Sequence, residues 1–536
     1  MGGAGRGKTS TSDCSVTASS LNQHFGCIST DKYYSASLIK STVVDSTKVF
    51  VDEFTTYKLL ASTRRTATGP DGLPFWFLEA AASALAEPVA YLYNISIIFS
   101  YVPSQWKVST ITPVPKISHP SEATDFRPIS VTPILCRLLE KFIVHRFFYE
   151  ILLEPRLNQD FMDQYAFRPT GSTSAALIAL TDNLTDLLRD NKFVHLIALD
   201  FTKAFDTVRH SYLAEQLAEL QIPDCLYNWI IAYLSDRGHE TKYNGLISAI
   251  LKINASIVQG SGLGPANFIT AISKLKAAHP ENRLMKYADD TYLLVPSSNS
   301  ATVANELDHV SQWAETCNLK LNKKKTFEIV IRRPRGRAWH DIVPDVTPGL
   351  TRVSSLNVLG VTFTEVLSFE PHITRICCKA RQSMYALRIL VAHGLRGPQL
   401  YDVVRATTVA RLLYAAPAWW GFAGQQDRYR LQSVISKLIR LRYLPDDFPT
   451  FERLCLEADS SLFSAVLMNQ GHLLHSLLPP KSPSNMLCDR DRTTIVYLLH
   501  IIYGERCLLL ECCTHIDSCL HIRVNVTFET IGHCRM

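Results

Sequence analysis

The 536-residue sequence lacks the features of a secreted or membrane-spanning protein. The first residues, Met1 to Thr9, contain no apolar core of a signal peptide. No run approaches the roughly 18 consecutive apolar residues that argue for a membrane span. The nearest candidate, Val89 to Val102, is too short and contains Asn94. We therefore expect a nuclear or cytoplasmic protein that is neither secreted nor held in a membrane.

Two apparent ligand motifs also lack an essential part. The C-terminal Cys/His cluster has no C-x₂-C pair, so ordinary cysteines are favoured over a zinc site. Most of the 14 cysteines stand singly in apolar contexts, which is typical of reduced thiols. Gly2 to Thr9 formally matches a phosphate-binding loop, but no strand leads into it, so the match is interpreted as accidental.

The net charge is small, because 55 Lys and Arg stand against 49 Asp and Glu, which gives +6. With 47% apolar residues, this balance excludes a disordered charged tail and allows about three folded domains. The charge is uneven: residues 320–337 carry +7 and residues 375–442 carry +10. Since electrostatic fields act locally, these basic segments favour a polyanionic partner more than the total does.

Apolar periodicity predicts a mixture of helices and strands. Helices are expected over residues 75–102, 131–153, 301–318 and most of 371–442, with another near Leu213, Leu217 and Leu220. Strands are expected over residues 106–117, 193–200, 327–331 and 356–363, and a hairpin over 284–295. The prolines in residues 106–117 indicate an edge strand.

Three aspartates stand where these strands end. Asp200 closes an apolar strand, and Asp289 and Asp290 occupy the hairpin tip. Adjacent strand residues point to opposite faces, so at most one of the tip pair faces Asp200 squarely unless the turn twists. Gathered carboxylates repel one another, and Mg²⁺, which prefers hard oxygen ligands, would relieve that repulsion. On spacing alone, a helix cap and two turn residues are an equally good interpretation.

Eight segments, in order, resemble the motifs of reverse transcriptases of non-LTR (LINE-type) retrotransposons. They are the entry motif Thr68–Pro74, the fingers motifs Pro115–Lys116 and Asp125–Ser130, palm motifs A (Ala198–Val208), B (Gln259–Pro265), C (Tyr287–Asp290) and D (Asn318–Thr326), and the strand Leu356–Val361 after motif D. The stretch Tyr414–Trp420 is similar to the family's thumb. The Tyr-Ala-Asp-Asp of motif C is the most diagnostic segment.

The resemblance implies an α+β right-hand polymerase with fingers, an α/β palm with antiparallel strands, and a helical thumb. We expect a disordered leader over residues 1–34, fingers and the start of the palm over 35–190, palm over 191–365, thumb over 366–450, and a C-terminal region of uncertain fold over 451–536. The implied activity is RNA-directed DNA polymerisation in retrotransposition. The implied partners are an RNA template, a DNA or RNA primer, and dNTPs.

The resemblance also implies roles for individual site residues. Asp200, Asp289 and Asp290 would be the catalytic, metal-binding triad, with Phe201 adding a backbone carbonyl. They would hold two Mg²⁺ ions, with Mn²⁺ as an alternative, for two-metal phosphoryl transfer.

Six further residues would contact the incoming nucleotide. Arg127 would grip the triphosphate, with help from Lys116, and Phe205 would exclude a 2′-OH. Gln259 and Gly260 would lie against the nascent base pair, and Lys325 would protonate pyrophosphate. Each assignment has a competing interpretation. Arg127 is also compatible with a surface ion pair and Phe205 with a core position. Gln259 and Gly260 are compatible with a plain turn, and Lys325 with a solvated lysine.

Basic residues would bind nucleic acid near motif D and in the thumb. They are Lys323, Lys324, Arg332, Arg333, Arg381, Arg388, Arg405 and Arg411. The motif D cluster is also compatible with a nuclear-localisation patch or with solvated charge.

Two other functions stay open at this stage. Only about 35 residues precede the match, too few for the family's upstream endonuclease, so the chain is expected to be a fragment or decayed copy. A non-catalytic RNA-binding remnant is therefore one alternative. An RNA-dependent RNA polymerase is the other, although Phe205 at the sugar position favours dNTPs.

Overall fold

A computed structural model describes residues 16–41, 49–154, 159–332 and 344–478, which divide between two units. The first unit comprises residues up to Gly171, His195–Glu328 and Pro344–Arg352. The second comprises Ser172–Val194, the residues from Ile329 to Val343, and those from Val353 onward. The Cys/His-rich C-terminal end, the Gly2 to Thr9 segment and Arg333 lie outside the described residues.

The described chain alternates helices and strands, as the apolar pattern predicts. The α-helices are α1 (Ala18–Ile28), α2 (Glu53–Ala61), α3 (Phe75–Ala80), α4 (Ala82–Ile98), α5 (Ile134–Ile143), α6 (Tyr149–Leu153), α7 (Thr173–Asp190), α8 (Ala204–Thr207), α9 (His210–Glu219), α10 (Asp224–Leu234), α11 (Gly264–Ala271), α12 (Val303–Thr316), α13 (Glu370–Ala392), α14 (Pro398–Val404), α15 (Ala410–Leu413), α16 (Ala416–Trp419), α17 (Gln425–Arg440) and α18 (Phe451–Met468). The strands are β1 (Val108–Pro115), β2 (Phe126–Val131), β3 (Phe193–Leu199), β4 (Arg237–Tyr243), β5 (Leu246–Ile247), β6 (Leu251–Ile253), β7 (Arg283–Tyr287), β8 (Asp290–Pro296), β9 (Phe327–Arg332), β10 (Thr351–Arg352), β11 (Ser355–Val358) and β12 (Val361–Thr364).

Helix α1 corrects the expectation of a disordered leader over residues 1–34, as far as these residues are described. The helix begins with a capping box. The Thr17 side chain accepts from Ser20 N–H, and the Ser20 hydroxyl accepts from Thr17 N–H. Its inner face buries Leu21 and Phe25. The buried Asn22 donates to Ala249 O and accepts from Thr241 Oγ1, which fastens α1 to β4.

The first sheet of the first unit has the order β2-β1-β4-β5, with β6 also paired to β4. Strand β1 is therefore an inner strand, and the prediction of an edge strand is wrong. The parallel β1–β4 pairing ends at Ile111, before the two prolines. Pro113 and Pro115 lie in the part of β1 that pairs only with β2, where a missing N–H is tolerated.

The second sheet has the order β10-β9-β3-β8-β7. Strand β3 is buried along almost its whole length, as its continuous apolar run predicts. Strands β7 and β8 form the predicted antiparallel hairpin, with Tyr287 opposite Asp290. Ile197, Leu293 and Trp229 belong to one extended apolar core, which holds the strand ends that carry Asp200 and Asp290.

The helix expected over residues 75–102 is two helices, α3 and α4, separated at Ala81. Helix α4 ends early because Ser100 adopts a left-handed conformation, with φ of 50°. The Tyr101 N–H then bonds back to Ser96 O, which closes a Schellman-type end.

The second unit is mainly helical over residues 371–442, as predicted. Trp419 is fully buried, and its indole N–H donates to Tyr414 O at 3.0 Å. Its ring also packs edge-on against His372, which joins α16 to the long helix α13. Among the described residues, no helix has the length and apolar character needed to cross a membrane.

Candidate active site

A tight turn at residues Tyr287 to Asp290 presents the two tip aspartates. Ala288 has a φ of 56°, which an L-residue adopts only when its surroundings hold it there. Here the Ala288 N–H donates to Gln164 Oε1 at 3.0 Å, and the same oxygen accepts from Ala166 N–H. Gln164 is almost completely buried, so the turn is fixed from beneath by an internal side chain.

The strand that leads into this turn is fixed by Lys286, whose side chain is fully buried. Its ammonium donates to Ile272 O at 3.0 Å and to Leu275 O at 2.9 Å, both just beyond α11. Asp163 Oδ1 lies 3.1 Å from the same nitrogen. Burial lowers the pKa of Lys286 to about 8, and the charge of Asp163 opposes that shift. Lys286 therefore links motif C to the end of α11.

Asp200 follows β3 and is partly exposed. Its carbonyl oxygen accepts from Asn322 N–H at 2.8 Å, and Thr202 N–H donates to Lys320 O at 2.9 Å. Phe201 and Leu321 form an antiparallel bridge between these bonds. The backbone after Asp200 is thus held by the motif D loop.

The three aspartates influence one another electrostatically. The pKa of Asp290 is raised to about 6, first by loss of hydration and then by the charges of Asp289 and Asp200. The pKa of Asp289 is also raised, by loss of hydration and by Asp200, although both tip residues retain exposed surface. Because neighbouring carboxylate charges raise the pKa values of Asp289 and Asp290, the site favours a cation.

The donor chemistry of this site fits Mg²⁺. Within residues 16–41, 49–154, 159–332 and 344–478, no group of three His, Cys, Asp or Glu side chains is arranged to hold a metal ion by itself. Mg²⁺ commonly uses one or two carboxylates and completes its shell with water and substrate phosphates. The partly exposed Asp200, Asp289 and Asp290 match that pattern of incomplete protein ligation.

The Phe205 ring is clamped between two other rings. It stacks on Phe268 of α11 with centroids 3.9 Å apart and planes inclined by 12°. Phe167 meets it edge-on at 6.4 Å. Phe205 is half-buried rather than a core residue, so one part of a rigid ring stays accessible.

Gln259 and Gly260 lie against strand β2. Ser130 N–H donates to Gln259 O at 2.8 Å. Gly260 has a φ of 111°, and a Cβ at this position would lie 2.4 Å from Ser130 O. The absent side chain therefore permits a close approach to Ser130, which is a structural requirement for glycine.

The Gln259 side chain is oriented by Asp206, whose Oδ1 accepts its amide N–H at 2.7 Å. Burial raises the pKa of Asp206 to about 6, against the bond from Gln259 and the charge of Lys203. Sequence reasoning missed Asp206, Gln164 and Asn322. Of these, only Asp206 could have been suspected from the sequence, because it is a second aspartate six residues after Asp200.

The three basic residues predicted to contact the nucleotide are exposed. Lys116 follows β1, and its ammonium donates to Thr124 O at 2.7 Å. Arg127 pairs in register with Val114, on the face of β2 opposite to the buried Phe126. Lys325 lies in a turn in which its N–H donates to Asn322 O.

The predicted nucleic-acid contacts fall into two groups. Lys323 and Lys324 are exposed, as are Arg381, Arg388, Arg405 and Arg411 of the second unit. Arg332 differs, because its guanidinium bonds to Glu365 Oε2 at 2.7 Å and most of its side chain is buried. Glu365 therefore neutralises the charge of Arg332 that was expected to face a nucleic acid.

The α+β fold, with one aspartate at a buried strand end and two on the neighbouring hairpin, has the architecture of the right-hand polymerase fold class. Residues 114–363 match the family model described as reverse transcriptase (RNA-dependent DNA polymerase). The resemblance drawn from the motifs is confirmed.

Curated relatives come from mobile elements. The chain is 27% identical over 376 residues to the probable RNA-directed DNA polymerase from transposon BS of Drosophila melanogaster, covering 66% of this chain and 40% of that protein. It is 25% identical over 319 residues to the RNA-directed DNA polymerase from mobile element jockey of the same species, covering 57% and 34%. The chain thus spans well under half the length of these relatives.

A solved structure of telomerase from Candida tropicalis, in complex with a fragment of telomeric RNA, is also similar. It shares 12% identity and a TM-score of 0.38, over 79% of this chain and 65% of that one.

Proposed function

We propose that the chain is an RNA-directed DNA polymerase that extends a primer 3′-OH with dNTPs during retrotransposition. The observation that carries the proposal is the electrostatic coupling of Asp200, Asp289 and Asp290 at the ends of adjacent strands. The match of residues 114–363 to the reverse transcriptase family supports the same activity.

Asp200, Asp289 and Asp290 would hold Mg²⁺, with the Phe201 carbonyl as a further oxygen ligand. When bound, two such ions would activate the attacking 3′-OH and stabilise the leaving phosphate oxygen. Gln164 and Lys286 hold the hairpin, and Asn322 holds the backbone of Asp200, so the carboxylates are oriented before substrate arrives.

The nucleotide would lie between Phe205, Gln259 and the β1–β2 hairpin. The clamped Phe205 ring would leave no space for a 2′-OH beneath the sugar. Gln259, oriented by Asp206, would support the nascent base pair together with Gly260. Arg127 would bind the triphosphate as a planar bidentate donor, and Lys116 would assist it. Lys325 would serve as a proton donor to pyrophosphate.

Exposed cations in the second unit would bind the template–primer. Arg381, Tyr385 and Arg388 of α13 follow a spacing of four and three residues, which places them on one face of the helix. Arg388 lies over the Tyr385 ring at 5.3 Å. Interleaved cations and aromatic rings suit a phosphate backbone with neighbouring bases. Arg405 and Arg411 would add nonspecific attraction, as would Lys323 and Lys324 of the first unit.

The test is RNA-templated primer extension with Mg²⁺ by the purified protein. We expect incorporation of dNTPs, loss of incorporation in Asp289→Ala, and wild-type incorporation in Asp308→Ala, which removes an exposed aspartate from α12. Equal extension by Asp289→Ala and the wild type would reject the site. RNA binding without incorporation would instead identify a non-catalytic remnant, and preference for GTP over dGTP an RNA polymerase.

A further inference from the structure

Three basic side chains converge beside the proposed nucleotide site, and two of them have no role in it so far. Lys203 Nζ lies 3.3 Å from Nε2 of His24, which belongs to α1. The charge of Lys116 acts on both of these groups. The N-terminal helix therefore contributes a side chain to the surroundings of motif A.

The nearby acids are already engaged. Asp206 accepts the amide of Gln259, and Asp125 accepts the N–H groups of Ser121 and Glu122. Neither acid forms an ion pair of contact distance with Lys203 among the described residues. Because an ammonium only donates, Nε2 of His24 is the acceptor in this contact, and the imidazole orients the Lys203 ammonium, whose other two N–H groups can donate to an anion.

The backbone fixes both side chains at this point. Lys203 has a φ of 52°, immediately before α8, which carries Phe205 and Asp206. Helix α1 cannot shift freely, because Asn22, two residues before His24, bonds to Thr241 and to Ala249 O. The cluster is consequently held next to the ring and the carboxylate that line the proposed nucleotide site.

We propose that Lys203, oriented by His24, binds the terminal phosphates of the incoming nucleoside triphosphate together with Lys116. The inference rests on the proposed function, since the polymerase reaction supplies the triphosphate. A triphosphate carries several negative charges on a compact group, so it can accept from the ammonium groups of Lys203 and Lys116 at once. Helix α1 would then support the nucleotide site through His24.

The kinetic test compares His24→Gln and Lys203→Met with the wild type in primer extension. Loss of the phosphate contact in Lys203→Met should raise KM for dTTP about tenfold, and loss of the orienting imidazole in His24→Gln should raise it by a smaller factor, while kcat and KM for template–primer change little. Gln23→Ala, the exposed neighbour on α1, and Lys252→Met, an exposed lysine of β6, are matched controls that should retain the wild-type KM.

A second measurement separates this inference from the proposed function. Calorimetric binding of inorganic tripolyphosphate needs no turnover, and it should weaken in His24→Gln and Lys203→Met but not in the two controls. A wild type that incorporates no dNTP yet shows this pattern would defeat the polymerase proposal and leave the anion site standing. Unchanged tripolyphosphate binding and unchanged KM for dTTP in both variants would overturn the inference. A rise confined to KM for template–primer would assign the cluster to a nucleic-acid backbone and would also overturn it. Circular dichroism would verify that each variant is folded.

Discussion

The side-chain amide of Gln259 donates a 2.7 Å hydrogen bond to the carboxylate of Asp206. The two residues are far apart in sequence and belong to different motifs, so the bond ties the motif B loop to the segment after Asp200. Asp206→Ala removes the acceptor, and we expect KM for dNTPs to rise about fivefold to tenfold as Gln259 loses its orientation. Asp206→Asn keeps a carbonyl acceptor and should lie near the wild type in steady-state primer extension. Equal KM values for the alanine variant and the wild type would contradict the orienting role.

The clamped ring of Phe205 predicts sugar discrimination. Phe205→Val shortens the side chain, so the ratio of GTP to dGTP incorporation should rise by at least about tenfold. Phe268→Leu removes the stacked partner and should raise the same ratio by a smaller factor, because Phe205 then gains freedom. Single-nucleotide incorporation with each substrate measures both effects. A Phe205→Val protein that still rejects GTP would show that another group excludes the 2′-OH.

Gly260 predicts a loss of stability with a defined cause. In Gly260→Ala, the new Cβ would press on Ser130 O, and the positive φ would be strained as well. We expect the free energy of unfolding to fall by about 2–3 kcal/mol, as measured by urea denaturation. Gly245→Ala is the matched control, because Gly245 has a φ of 81° and nothing within 4 Å of an added Cβ. Equal losses in the two variants would mean that the contact with Ser130 is unimportant.

Lys286 predicts a larger loss than a surface lysine. Lys286→Met leaves the carbonyls of Ile272 and Leu275 buried without their donor. The free energy of unfolding should therefore fall by about 2–4 kcal/mol. Lys274→Met removes a half-exposed lysine that pairs with Asp160 and Glu219, and it should cost about 1 kcal/mol or less. Urea denaturation compares the two. If Lys286→Met were as stable as the wild type, the buried ammonium of Lys286 would not stabilise the fold.

The buried His210 predicts a pH dependence of stability. Burial lowers its pKa to about 4, against the bond of its Nε2 to Ser256 O. The unfolded histidine takes up a proton near pH 6.5 while the folded one stays neutral, so stability present above pH 6.5 is lost as the pH falls toward 4. At pH 5 the loss from this residue should be about 2 kcal/mol.

Urea denaturation of the wild type and His210→Asn at pH 7 and pH 5 measures that contribution. The variant should lose less stability between the two pH values than the wild type does. His119→Gln, at an exposed site, should follow the wild type. A parallel pH dependence in wild type and His210→Asn would assign the acid sensitivity to other groups.

The sequence predicted best where one local pattern determines the outcome. The apolar run before Asp200 and the turn at Tyr287–Asp290 gave a buried strand and a hairpin, because burial and register follow from periodicity. The edge position of β1 was predicted wrongly, since its two prolines occupy only the part of the strand beyond its pairing with β4.

The contacts that complete the site could not be predicted because they join distant segments. Gln164 supports Ala288 across 124 residues of chain. Arg332 looked like part of a basic patch, but Glu365, 33 residues away, bonds to it in the fold. The local sequence shows the charge of Arg332 but not its ion-pair partner, which only the tertiary structure brings close.

The burial of Leu21 and Phe25 sets a practical limit on how far the protein can be trimmed. Both residues pack with Ile111 and Phe126 of the first sheet, although they precede the first recognisable sequence motif by more than forty residues. A recombinant version started at that motif would expose this apolar surface of the sheet to solvent, with aggregation as the consequence. Expression boundaries for this protein therefore need to include the residues from Val16 onward, whichever activity is assayed.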